Sequence, residues 1–128
     1  MKMKILIAFS LLILFAFIGS CKKKEAGPGG KNTISGTIRF KNGLSGSNDA
    51  APMAWVSIAY GTNEATSTVD QTILTDASGN YKIEGLNKGN YFIKAGYTDA
   101  NGFSYTNSGV GVRFENKKKT LDVSITLE

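Results

Sequence analysis

Cys21 is the only cysteine in the 128-residue chain, and the chain has no histidine. That pairing narrows the available chemistry. A lone thiol cannot form an intramolecular disulfide, and without histidine the commonest general base and zinc ligand are missing. A cysteine nucleophile has no plausible partner to activate it, and neither has any serine. Catalysis is therefore not expected, and neither is a cofactor. The chemistry left for Cys21 is modification, and its surroundings suit that. Met1-Lys2-Met3-Lys4 is a short basic start. Ile5 to Ile18 follows as an almost unbroken apolar run, and Gly19-Ser20 are small residues directly before Cys21. The apolar run has about 14 residues and as a helix would extend about 21 Å, short of a bilayer core of about 30 Å. It reads as an export leader rather than a membrane span.

Ile18-Gly19-Ser20-Cys21 resembles the bacterial lipobox, an aliphatic residue and two small ones before the cysteine. The resemblance implies cleavage before Cys21, a diacylglyceryl thioether on its sulfur, and further acylation with chains such as palmitate. Two or three acyl chains, at about 0.8 kcal/mol per buried methylene, hold a protein firmly on a membrane. The expected organisation is a signal peptide over 1–20, a flexible lipid-anchored tether over 21–31, and a folded domain over 32–128. The tether reads Cys21-Lys22-Lys23-Lys24-Glu25-Ala26-Gly27-Pro28-Gly29-Gly30-Lys31, charged and glycine-rich with little to bury. In this pattern Lys22, rather than an aspartate, follows the cysteine. That resembles outer-membrane sorting, with the periplasmic face favoured over the cell surface.

The net charge of +5 comes from the leader and tether. From Asn32 onward basic and acidic residues balance, and no nucleic-acid motif is present, so a nucleic-acid partner is not expected.

After the leader the apolar residues recur with period two. Ile34, Gly36, Ile38 and Phe40 share one face, as do Val56, Ile58 and Tyr60, and Tyr91, Ile93, Ala95 and Tyr97. Further strands are expected at 67–75, 81–86, 103–106 and 110–114. A last one carries Leu121, Val123, Ile125 and Leu127. The segment 41–52 reads as a loop. Asp76-Ala77-Ser78-Gly79-Asn80, Asn87-Lys88-Gly89-Asn90 and Asp99-Ala100-Asn101-Gly102 read as tight turns. Asp76 and Asp99 also have oxygen ligands at calcium-loop-like spacing, but neither run completes a calcium loop, and the turn reading is preferred. With 15 glycines and 2 prolines, the whole predicts an all-β, antiparallel sandwich of seven or eight strands.

Four segments carry a family resemblance: Ser35-Gly36-Thr37-Ile38, Ala54-Trp55-Val56-Ser57-Ile58, Thr75-Asp76-Ala77-Ser78-Gly79-Asn80-Tyr81-Lys82-Ile83, and Gly85-Leu86-Asn87-Lys88-Gly89-Asn90-Tyr91. Together they resemble the carboxypeptidase regulatory-like domain, which implies a transthyretin-like (prealbumin) sandwich over nearly all of 32–128. Ala54-Trp55 stands where that family usually has Gly-Val.

Two functions follow as expectations. One is a non-catalytic structural or protein-interaction module of the cell envelope, partnered by the membrane through its lipid and by an envelope protein or glycan. The other is a carbohydrate- or peptide-binding module whose surface comprises Trp55, Tyr97, Phe103 and Tyr105. Aromatic residues in strands are more often core than platform, and alternation sets Trp55 apart on the outer face. An isopeptide bond between Lys41 or Lys94 and Glu84 is conceivable, but no pattern singles it out.

Overall fold

The computed structural model describes residues 26–128, and they form ten strands in two five-stranded sheets. The leader, Cys21 and residues 22–25 lie outside the described residues. The strands are β1 (Pro28–Lys41), β2 (Asn48–Ala50), β3 (Trp55–Tyr60), β4 (Gln71–Leu74), β5 (Asn80–Leu86), β6 (Gly89–Thr98), β7 (Ser104–Thr106), β8 (Val110–Phe114), β9 (Thr120–Asp122) and β10 (Ile125–Leu127).

Two long strands, one per sheet, organise the rest. In the first sheet β1 pairs antiparallel with β5 along its first half and with β2 near its end. It pairs in parallel with β9 and then β10. In the second sheet β6 pairs antiparallel with β3, and with β8 and then β7. β4 adds an edge beyond β3. The two sheets also touch through backbone, where the amides and carbonyls of Thr106 and Glu128 exchange hydrogen bonds of 3.3–3.4 Å.

The alternation read from the sequence fills the space between the sheets. Ile34, Ile38, Phe40, Tyr81, Ile83, Ile125 and Leu127 meet Val56, Ile58, Tyr91, Ile93, Ala95 and Phe114 in one buried cluster. The architecture is the expected all-β sandwich, with three differences in detail. β2 lies inside the segment read as loop, pairing Asp49 with Phe40. The third strand is confined to Gln71–Leu74, because residues 67–70 belong to the loop that Asp70 closes by accepting from the Tyr60 amide at 2.7 Å. The last strand is two strands, and both run parallel to β1.

That break has a steric cause. At Gly36 a side chain would place its Cβ 2.2 Å from the carbonyl oxygen of Val123. The peptide joining Val123 to Ser124 bulges over β1 there, and the Val123 amide donates to the Ser35 carbonyl at 2.7 Å. Only glycine allows so close an approach. The Tyr81 hydroxyl, buried beneath it, donates to the Val123 carbonyl at 2.5 Å.

The domain also begins earlier than its composition suggests, and residues 26–31, expected as flexible tether, belong to the fold. β1 starts at Pro28, Gly27 is buried, and Ala26 packs against the core.

Two predictions rest on this geometry. Gly36→Ala should lose about 1–3 kcal/mol of stability through overpacking against backbone, measured by urea denaturation. Alkaline titration tests the buried phenols. Burial first, then the nearby Asp122 carboxylate, pushes the Tyr81 phenol far above its ordinary value. Burial also raises Tyr91, against the opposing Gly27 hydrogen bond. In the unfolded chain both ionise near pH 10. Their contribution is therefore complete below about pH 10 and is lost above it, because the unfolded state releases its protons first. The free energy of unfolding should fall by about 1.4 kcal/mol per pH unit per tyrosine in that range. Tyr81→Phe should flatten the slope, and an unchanged slope would refute the assignment.

Candidate functional site

The chain enters the domain through a clasp. Gly27 donates its amide to the Tyr91 hydroxyl at 2.9 Å, and that hydroxyl donates to the Asn87 carbonyl at 2.6 Å. The Asn87 amide donates to the Gly27 carbonyl at 2.8 Å, and its side-chain amide donates to the Pro28 carbonyl at 3.0 Å. Tyr91 has no exposed surface. Its ring stands edge-on to Tyr60 at 5.8 Å and to Phe114 at 5.9 Å. The segment that follows Cys21 is thus gripped from the core. Its composition of Gly, Pro and Lys gave no sign of this. The available signal was Tyr91, a residue on an apolar face that needed a partner for its hydroxyl.

The four aromatics considered as a ligand platform do not come together. Tyr97 and Tyr105 face inward and pack on Phe40, with ring centroids 4.7 and 5.0 Å away. The Tyr105 hydroxyl accepts from the Gly43 amide at 3.1 Å. Phe103 is exposed at the turn between β6 and β7. Trp55 alone lies on the outer face of the second sheet. A Cβ on Gly96, its partner on β6, would lie 2.2–2.6 Å from Cζ2, Cε2 and Nε1 of the indole. The ring therefore lies flat on Gly96, which is small enough to admit it, and 38% of Trp55 stays exposed. Leu74, its partner on β4, and Met53 are exposed as well. The backbone here is held by Thr75, which is buried. Its hydroxyl accepts from the Ala54 amide at 2.9 Å and donates to the Ala51 carbonyl at 2.6 Å. That clamps a turn in which Met53 takes a left-handed φ of 56°, a conformation that costs a non-glycine residue about 1–2 kcal/mol.

The aspartates with calcium-loop spacing are spent on turns. Asp76 Oδ1 accepts from the amides of Ser78 and Asn80 at 2.9 Å each. Asp99 Oδ1 accepts in the same way from Asn101 and Phe103 at 2.9 Å. Glu84 pairs with Lys82 at 3.1 Å. It sits toward the start of β1, whereas Lys41 ends that strand.

No family model and no curated protein matches the chain. Solved structures do. A candidate carbohydrate-binding protein from Pseudomonas aeruginosa superposes with a TM-score of 0.55 at 17% identity, over 79% of this chain and 91% of its own. The minor pilin of Streptococcus agalactiae gives 0.54 at 18% identity, over 77% of this chain and 44% of its own. A variant of the major pilin subunit of Bacillus cereus gives 0.53 at 16% identity, over 77% and 30%. The chain thus spans under half of each pilin. At such identities the likeness is one of fold, and the chain is a β-sandwich module of the kind these proteins contain.

Proposed function

We propose that the chain is a lipid-anchored, non-catalytic β-sandwich module of the bacterial cell envelope. In this reading Cys21 carries the lipid and the domain holds a protein or glycan partner at the outer membrane, on its periplasmic face. The clasp at Gly27 carries the reading. A domain hung from an acylated cysteine must resist being peeled from its first strand, and here the chain is locked into the core six residues after Cys21. The carboxypeptidase regulatory-like resemblance belongs to the same proposal. Support comes from the four quoted segments and from the sandwich fold. Non-catalytic use is supported by the commitment of Asp76, Asp99, Thr75 and Tyr91 to backbone hydrogen bonds.

Cys21→Ser tests the anchor. The expected outcome is loss of acylation from the intact mass and failure of the protein to fractionate as a lipoprotein. Normal processing and retention of the serine variant would overturn the reading.

Trp55 favours one more specific form, in which the outer face of the second sheet binds carbohydrate. A ring lying flat on Gly96 presents its other face to solvent, the geometry on which a sugar ring stacks. The fold it shares with a candidate carbohydrate-binding protein supports the same class. On a glycan panel, Trp55→Ala should weaken binding about fivefold to tenfold, the effect of losing roughly 1 kcal/mol of stacking, while the far-ultraviolet circular dichroism stays the same. Binding that survives Trp55→Ala, or no binding to any glycan, would refute it.

A further inference from the structure

The balanced charge of the domain conceals a polarity. Four lysines, Lys31, Lys88, Lys117 and Lys118, line one groove of about 560 Å³ with no carboxylate in its walls. Among the described residues none of the four is in an ion pair. The neighbouring carboxylates Glu84 and Glu115 pair instead with Lys82 at 3.1 Å and Arg113 at 3.6 Å. Asp70, in the loop beside this end, accepts from the Tyr60 amide. The opposite end, with the turns at Asp76 and Asp99, carries Asp49 beside Arg39 and Lys41 at the end of β1.

The groove is built rather than incidental. Asn32 is a wholly buried polar residue on β1. Its side-chain amide donates to the Asn116 carbonyl at 2.8 Å, and its Oδ1 accepts from the Lys119 amide at 2.8 Å. One side chain thereby pins both ends of the turn that displays Lys117 and Lys118. Across the groove, Gly30 passes so close to Leu86 that a Cβ there would lie 2.1 Å from its carbonyl oxygen. That approach fixes Lys31 relative to the turn holding Lys88.

The groove lies at the end where the chain enters. Ala26 and Lys88 share an adjoining hollow. Cys21 is five residues before Ala26 and can be no more than about 18 Å from it along an extended chain.

We propose that this end is a docking surface for an anionic lipid bilayer, the four lysines meeting headgroup phosphates and setting the domain upright on the membrane. The proposal rests on the lipid anchoring of Cys21, which brings the lysines within reach of the headgroups. Charge complementarity and the position of the entering chain select the membrane as occupant. Each lysine near such a surface strengthens association about fivefold. The contact should fade with salt, since charges are screened beyond about 8 Å at physiological ionic strength and about 3 Å at 1 M.

The experiment uses the full, purified, acylated chain in vesicles of phosphatidylcholine alone or with phosphatidylglycerol. A brief pulse of amine acetylation is read lysine by lysine by mass spectrometry. On the anionic vesicles Lys31, Lys88, Lys117 and Lys118 should label about fivefold more slowly, and about 1 M salt should remove the difference. Lys41 and Lys94 should label equally on both vesicles. Lys117→Gln combined with Lys118→Gln should return Lys31 and Lys88 toward their rates on neutral vesicles. Equal labelling on the two vesicle types would overturn the proposal. So would equal protection by inorganic phosphate without vesicles, which would make the groove a site for free anions. The intact mass reports separately whether Cys21 carries lipid, so failure of anchoring and failure of docking are told apart.

Discussion

One buried hydroxyl ties the molecule together. Tyr91 lies in the core of the second sheet, and its oxygen accepts from Gly27, just before β1, and donates to the turn between β5 and β6. That turn is where the chain passes from one sheet to the other. The same atom therefore couples both sheets and the entering segment. Phenylalanine would fill the same volume but leave the Gly27 amide buried without its partner, at a cost of about 1–3 kcal/mol. The consequence for function is mechanical. Residues 26–31, which glycine and lysine content suggested as part of an eleven-residue tether, are held by the fold.

Much of the fold was legible because a half-buried sheet writes itself as alternation. The inward positions on β1, β3, β6 and the last strands were named correctly from the spacing alone. Tyr97 was on the inward face by the same rule that placed Ile93 and Ala95 there, so its place in a surface platform conflicted with the alternation from the start. The misreadings have physical causes. Pro28-Gly29-Gly30 has the composition of a linker, yet close passage over Leu86 demands glycine for the opposite reason, which is crowding. The break between β9 and β10 depends on a close approach at Gly36, and period-two patterning has no means of showing which distant segment approaches. Short β2 buries too little to produce a pattern.

The candidate sites were less legible than the fold. Trp55 could be set apart by alternation, but its flat seat on Gly96 depends on a pairing between β3 and β6 about forty residues apart in sequence. The lysine groove was hidden by arithmetic. Summing charge over 32–128 gives balance, whereas the fold sets Lys88, Lys117 and Lys118 of that span beside Lys31, just before it, in one groove with no carboxylate in its walls. Asn32 was invisible as a positioning residue, since its role is set by the turn it holds 84 positions away.

The two proposed surfaces are compatible because of where β6 runs. That strand leaves the lysine end at Gly89 and reaches Gly96 seven residues later, a rise of about 23 Å at about 3.3 Å per residue. Trp55 is stacked on Gly96, in the half of the domain nearer the acidic turns. With the lysine end against headgroups, the indole would stand clear of the bilayer and of the headgroup layer, facing sideways from the outer face of the second sheet. A docked domain would therefore present Trp55 at a fixed height instead of sweeping it through all orientations on a loose tether. A flat stacking surface gains from that fixed presentation, because less orientational freedom remains to be lost when a partner binds. On the proposed function the clasp on Tyr91 and the lysine groove belong to one arrangement, in which docking at the anchor end would leave the far half of the outer face free to bind.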